Sequence, residues 1–211
     1  MKINIRFSIL LLTILVVLAG KSMAQKMVAL DIGSYYGFGT VKLNSGEVIN
    51  DTLSFSFAGK GKVYLGSKYE DNPLELPKKY LPTDVEYFTI EDTTFVPVKT
   101  PQSLTGEFMI RMTPEDYKIQ LYKKYEQDPQ TYKILFKYFA MFPGQTKAKD
   151  IMNDLTLVPF AKKVSKNIAD CPDLAEKIAK KEEPYKMPLL SNEKTFFTMY
   201  LKIAEAYQDC K

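Results

Sequence analysis

Two kinds of hydrophobic spacing divide the chain. From Gly37 to about Phe142, apolar and aromatic residues come in short runs, some with strict alternation. Beyond Pro159 they recur at steps of three and four. The first spacing is that of strands with one buried face; the second is that of amphipathic helices. The expected fold is therefore α+β, with N-terminal antiparallel β meander and hairpins followed by a C-terminal segment of about three helices.

Within the β part, Gly37–Leu43 predicts a strand with Val41 and Leu43 on one face. Asn44-Ser45-Gly46 is turn chemistry, because Gly takes positive φ at little cost. Glu47–Phe57 returns as a second strand. Leu53, Phe55 and Phe57 fall on one face and Ser54 and Ser56 on the other. Gly59-Lys60-Gly61 turns into a short strand over Lys62–Leu65. Residues 66–83 carry Pro73, Pro77 and Pro82 and predict an irregular loop, since proline donates nothing to a ladder. Asp84–Ile90 and Phe95–Lys99 predict a second hairpin, and Glu107–Met112 and Lys118–Glu126 a third around Pro114-Glu115-Asp116. Thr131–Phe142 suits strand or helix, and strand is preferred.

In the last third, Pro159 suits a first helical position, followed by Phe160, Ala161, Val164 and Ile168 as an apolar stripe. Pro172 suits the same position for a second helix to about Glu182, with Leu174, Ile178 and Lys181 on one face; Pro184 stops it. Ser191 is a suitable N-cap for a third helix to about Asp209. That helix carries Phe196, Tyr200, Ile203, Ala204 and Tyr207 on one stripe.

The first 24 residues follow neither spacing. Lys2 and Arg6 precede an apolar run of 13 residues from Phe7 to Ala19, and Ser22-Met23-Ala24 supplies small residues for cleavage. This is the pattern of a secretory signal, and a spanning helix needs roughly 20 apolar residues. The expected organisation is a signal peptide over 1–24, a β-rich region over 25–145 and a helical region over 146–211. The last two could form one domain. No Cys follows the apolar run to carry a lipid, and no later stretch is apolar enough to span. The expected location is the periplasm, or the outer membrane and outside.

Cleavage changes the charge. The full chain has 29 basic and 25 acidic residues, net +4. Removing Lys2, Arg6 and Lys21 leaves 26 against 25, net +1, too little for a nucleic-acid footprint. Of the basic residues only Arg6 and Arg111 are Arg. That argues weakly against a phosphate site, which favours the planar guanidinium.

The chain has no His, which excludes Ser-His-Asp and Cys-His catalysis and His-ligated metals. Two Cys cannot complete a four-thiolate site. No cofactor is expected and no enzyme activity. Cys171 and Cys210 flank the last two helices, and in an exported chain such a pair reads as a disulfide. Ser191 and Lys194 match S-x-x-K, but the companion motifs of penicillin-binding enzymes are missing and an N-cap role suffices. Gly33 to Gly39 looks like a phosphate loop yet leads into a strand, so turn or bulge glycines are the better reading.

Two devices stay open. Glu70-Asp71, Glu91-Asp92 and Glu115-Asp116 are paired carboxylates of the kind a glycan hydrolase needs, though they fall in predicted turns. Tyr35, Tyr36, Tyr64, Tyr69, Tyr80, Tyr87, Tyr117, Tyr122 and Tyr125 could stack on sugars or line an interface, or half-bury on a sheet face.

The strand–Asn-Ser-Gly–strand unit, the Asp84–Val98 hairpin and Asp170-Cys171-Pro172-Asp173-Leu174 together carry a resemblance. The chain resembles a family of uncharacterised exported proteins of Bacteroidetes, with a β-rich body and terminal helices around a D-C-P-x-L motif. Residues 66–83 and 143–156 depart from that pattern. The resemblance implies location and architecture but no activity. Asp51-Thr52-Leu53 and Asp92-Thr93-Thr94 also resemble the O-glycosylation acceptor pattern of that phylum, which implies glycans at Thr52 and Thr93. The functional expectation is a non-enzymatic exported protein that binds an envelope component, a partner protein or a glycan. The alternatives are a saccharide or small-ligand module, and less so a carboxylate-dependent glycan hydrolase.

Overall fold

The computed structural model describes residues 34–56, 62–65, 78–128, 130–152, 159–188 and 192–210. The signal segment, Phe57, Gly59, Gly61, Glu70-Asp71, Tyr69, Ser191 and the side chain of Tyr64 lie outside that description.

Ten strands form one antiparallel sheet: β1 (Ser34–Leu43), β2 (Val48–Ser56), β3 (Lys62–Leu65), β4 (Lys79–Tyr80), β5 (Val85–Ile90), β6 (Thr93–Val98), β7 (Glu107–Arg111), β8 (Gln120–Gln127), β9 (Ile134–Met141) and β10 (Lys149–Asp150). Their order is β10-β9-β8-β7-β6-β5-β1-β2-β3-β4. Two meanders thus run outward in opposite directions from the β1–β5 pair. Three helices follow, α1 (Phe160–Asn167), α2 (Pro172–Ala179) and α3 (Glu193–Tyr207). The architecture is α+β, as the spacing predicts. No helix among the described residues is long and apolar enough to cross a membrane.

The sheet does not lie flat. Tyr35 on β1 and Tyr125 on β8 are four strand spacings apart, roughly 19 Å in a flat sheet, yet their ring centroids are 6.0 Å apart. Phe55 on β2 and Phe108 on β7 are equally distant in strand order and 5.9 Å apart. The sheet therefore rolls until β1–β2 faces β7–β8. The β4–β5 link agrees: Leu81–Asp84 forms a turn, with Asp84 N donating to Leu81 O at 3.0 Å. Four residues could not join these strands around a flat sheet.

Aromatics fill the roll. Phe88 and Phe95 are register partners and stack at 4.6 Å, 5° from parallel. Phe55 and Phe108 pack on them, with Leu53, Val41 and Leu43 on the same buried face. The alternation in Glu47–Phe57 reports this face correctly for Leu53 and Phe55.

Gly39 shows why β1 needs glycine. A Cβ there would lie 1.9 Å from the carbonyl oxygen of Thr89 on β5. At Gly37 a Cβ would meet side-chain atoms of Glu91 and Ile90, the nearest at 2.8 Å, which can move. Gly39→Ala is expected to cost about 2–3 kcal/mol in urea unfolding, and Gly37→Ala under about 1 kcal/mol. Equal costs would contradict the close β1–β5 approach. Both glycines thus sit in a strand interior, so the expected turn or bulge at Gly33–Gly39 is corrected for its described part.

The helices pack on the far end of the same sheet. Leu121, Tyr138, Ala140, Phe142 and Ile151 share one core with Phe160, Val164, Ile168, Leu174, Ile178, Tyr200 and Ile203. Tyr138 stacks on Phe197 at 4.3 Å. β10 carries the sheet past residue 145, so the β-to-helix change falls between Asp150 and Phe160.

Several boundaries differ from expectation. Lys79–Tyr80 pairs with β3, so the predicted 66–83 loop contains a short edge strand. Pro159 is the N-cap of α1 and not its first helical residue. Pro172 does open α2, with Cys171 as N-cap. That helix stops at Ala179, short of Glu182, because Lys181 adopts φ +58°. Lys181 N then donates to Ile178 O, and Glu182 N to Lys177 O. This is a Schellman closure with Lys at the position Gly usually fills. It leaves Lys181 exposed and off the apolar face. The cap of α3 is Asn192, not Ser191: Asn192 Oδ1 accepts from Thr195 N at 2.9 Å and from Thr195 Oγ1 at 3.0 Å. Both side chains can cap; Asn192 is placed to reach the third helical residue.

Candidate functional site

At one end of the roll the strand ends and two loops leave a cavity of about 710 Å³. Its apolar wall is Phe55, Leu81, Pro82, Phe108 and Tyr125. Phe55 and Phe108 are the last rings of the aromatic core, so the floor of the cavity is the surface of that core. The rim comes from the β4–β5 turn and the Ser103–Gly106 loop. Gly106 takes φ +89°, and Ser103 Oγ donates to its carbonyl at 3.1 Å, which fixes the loop over the opening. Beside Tyr125, the buried Tyr35 phenol is held well above its ordinary pKa by burial and by its hydrogen bond with Tyr125.

On the opposite face of β7 and β8 from Phe108 and Tyr125 lies an ion cluster. Lys124 Nζ bridges Glu107 and Glu126, the latter at 2.8 Å. Lys137 meets the other oxygen of Glu126, also at 2.8 Å. Strand parity makes this possible: Lys124 and Glu126 alternate on one face of β8, and the β7–β8 register brings Glu107 beside them. Burial pulls the Lys124 pKa down, but its bonds to Glu107 and Glu126 outweigh that and hold it above the ordinary value. Burial pushes Glu126 up, but Lys124 and Lys137 hold it below the ordinary carboxylate range. Glu126 therefore stays ionised, the wrong state for a glycosidase proton donor. No sequence motif marks this trio. The i, i+2 spacing puts Lys124 and Glu126 on one strand face; the approach of Glu107 needs the strand register.

The predicted site residues are dispersed. Glu91 and Asp92 form the exposed β5–β6 turn, with Glu91 at φ +52°. Glu115 and Asp116 are exposed in the β7–β8 turn, where Glu115 pairs with Arg111 at 2.9 Å. Neither pair enters the cavity. The Tyr residues do not gather into one exposed patch: Tyr35, Tyr80 and Tyr122 are buried, Tyr87 and Tyr117 half-buried, and Tyr36 stands out on the opposite face of β1 beside Phe38. Among the described members of that set, Tyr125 alone lines the cavity. Thr52 is half-buried on β2 opposite Phe38, and Thr93 half-buried at the start of β6. Among the described residues no group of three or more Cys, Asp or Glu could hold a metal ion.

The D-C-P-x-L segment builds a clamp. Cys171 and Cys210 form a disulfide with Cα atoms 5.6 Å apart. Asp170 accepts a hydrogen bond from the Tyr207 hydroxyl of α3. Burial, then this bond, pushes the Tyr207 phenol up to about 12. Pro172 opens α2 and Leu174 enters the core. Lys118, from the β7–β8 turn, donates to the carbonyls of Gln208 and Cys210 and ties the clamp to the sheet. Every member of the signature thus has a structural task. A shallower groove of about 480 Å³ runs beside the disulfide.

Compared with protein-family models, curated proteins and solved structures, the chain matches none of them.

Proposed function

We propose that the chain is a non-enzymatic exported protein that binds a component of the cell envelope in the cavity of its β part. One observation carries this reading: a cavity of about 710 Å³ with an aromatic floor, within the roughly 300–1,000 Å³ of small-molecule sites. Export rests on the 1–24 pattern, and the disulfide favours an oxidising compartment such as the periplasm or the cell exterior. The Bacteroidetes resemblance is consistent with both. Glycans at Thr52 or Thr93 would add mass without entering the cavity. A partner protein would use a different surface, since Phe38 is 63% exposed on the outer face of β1.

Thr105 tests the reading well, because it is exposed and lines the opening. A metabolite extract from the envelope fraction is expected to raise the melting temperature of the wild type and leave Thr105→Trp unmoved. Equal shifts in both would place the binding elsewhere.

A further inference from the structure

The strand register decides which side chains face the cavity. Alternation puts Tyr125 and Gln127 on the inner face of β8, with Phe108 on the same face of β7. The side chains of Glu107, Lys124 and Glu126 belong to the other face, where with Lys137 their charges cancel. An ion that left water for the cavity would therefore find no counter-charge from β7 or β8, and burying an unpaired charge is costly. The floor offers the rings of Phe55, Phe108 and Tyr125, and the rim adds Leu81 and Pro82. A sugar would leave most of its hydroxyls against these groups without partners.

The neutral polar groups that line the cavity have acceptors to spare. The Gln127 amide donates to the Tyr132 carbonyl at 3.3 Å, and its Oε1 has no partner among the described residues. At the rim, Ser103 Oγ donates to the Gly106 carbonyl at 3.1 Å and Thr83 Oγ1 to Asp84 at 3.2 Å, so both hydroxyl protons are spent. The Tyr125 phenol is engaged with Tyr35. A ligand with an apolar body and one hydroxyl to donate matches this arrangement. We propose that the cavity takes a neutral amphiphile, an apolar chain ending in a hydroxyl. The chain lies over Phe55 and Phe108, and the hydroxyl donates to Gln127 Oε1. This inference rests on the cavity being the ligand site.

The test is calorimetric titration of the disulfide-intact protein with octanol, octanoate, octylamine and maltotriose. Octanol is expected to bind the wild type about tenfold more tightly than either charged analogue. Gln127→Leu, which keeps the size of the side chain and removes the acceptor, is expected to weaken octanol about fivefold. Thr105→Trp is expected to abolish its binding. Leu81→Trp blocks the opening from the β4–β5 turn, and serves if the melting temperature shows that Thr105→Trp is not folded. Octanoate or octylamine binding as tightly as octanol would overturn the neutral class. Maltotriose binding that Thr105→Trp removes, with none by octanol, would overturn the amphiphile and leave the cavity as the site. Octanol binding untouched by both Trp variants would overturn the amphiphile and the cavity together. Octanol affinity unchanged in Gln127→Leu would overturn the hydroxyl contact, and no octanol binding at all would overturn the ligand class.

Discussion

Phe88→Ala is expected to destabilise the protein by about 3–5 kcal/mol. Phe88 has no exposed surface and touches rings from both sides of the roll: Phe95 at 4.6 Å, Phe108 at 4.9 Å and Phe55 at 5.4 Å. The cost has two parts, the lost transfer of a buried ring and the cavity its neighbours cannot collapse to fill. Rings held on three strands cannot all close in on one point. The urea midpoint should fall with little change in slope. Phe38→Ala, on the outer face of the same sheet, should stay within about 0.5 kcal/mol. Comparable costs for the two would contradict a sheet rolled around Phe88.

Removing the disulfide is expected to have a similar effect at the other end of the molecule. Cys171 and Cys210 are 39 residues apart, and closing such a loop restrains the unfolded chain by about 4 kcal/mol in the chain-entropy model. The double variant Cys171→Ser/Cys210→Ser should therefore melt roughly 8–16 °C lower. The Asp170–Tyr207 hydrogen bond and the Lys118 contacts remain in that variant, so the helices should stay docked at room temperature. The wild type should take up no thiol reagent until reduced. Ready alkylation of either Cys in the folded, unreduced protein would contradict the bridge.

What the sequence could report depended on the range of the interaction. Local signals read well. The alternation of Leu53 and Phe55, the Gly46 turn at φ +90° and Pro172 at the start of α2 depend on neighbours a few residues away. The disulfide was legible because two Cys allow one pairing. Long-range closure was not legible. No spacing tells that Tyr35 meets Tyr125, or that Glu107 meets Lys124, because both follow from how far the sheet twists and rolls. Of the carboxylates that are neighbours in sequence, the described pairs Glu91-Asp92 and Glu115-Asp116 lie in exposed turns, and Glu107 and Glu126, which Lys124 joins, are 19 residues apart. End effects misled in smaller ways. Lys181 takes a conformation usually left to Gly, and of two adjacent good caps, Asn192 accepts from Thr195.

We propose that this rolled sheet belongs to an exported protein and holds a ligand at its open end. Native mass spectrometry of the protein drawn from its own envelope fraction tests it most directly, with wild type and Thr105→Trp side by side. The expected result is a polypeptide beginning at Gln25 with two fewer hydrogens than its reduced form. It also includes a non-covalently bound neutral mass in the wild type that the variant lacks. A chain retaining residues 1–24, or a bound mass that persists in Thr105→Trp, or bare polypeptide in both, would contradict it.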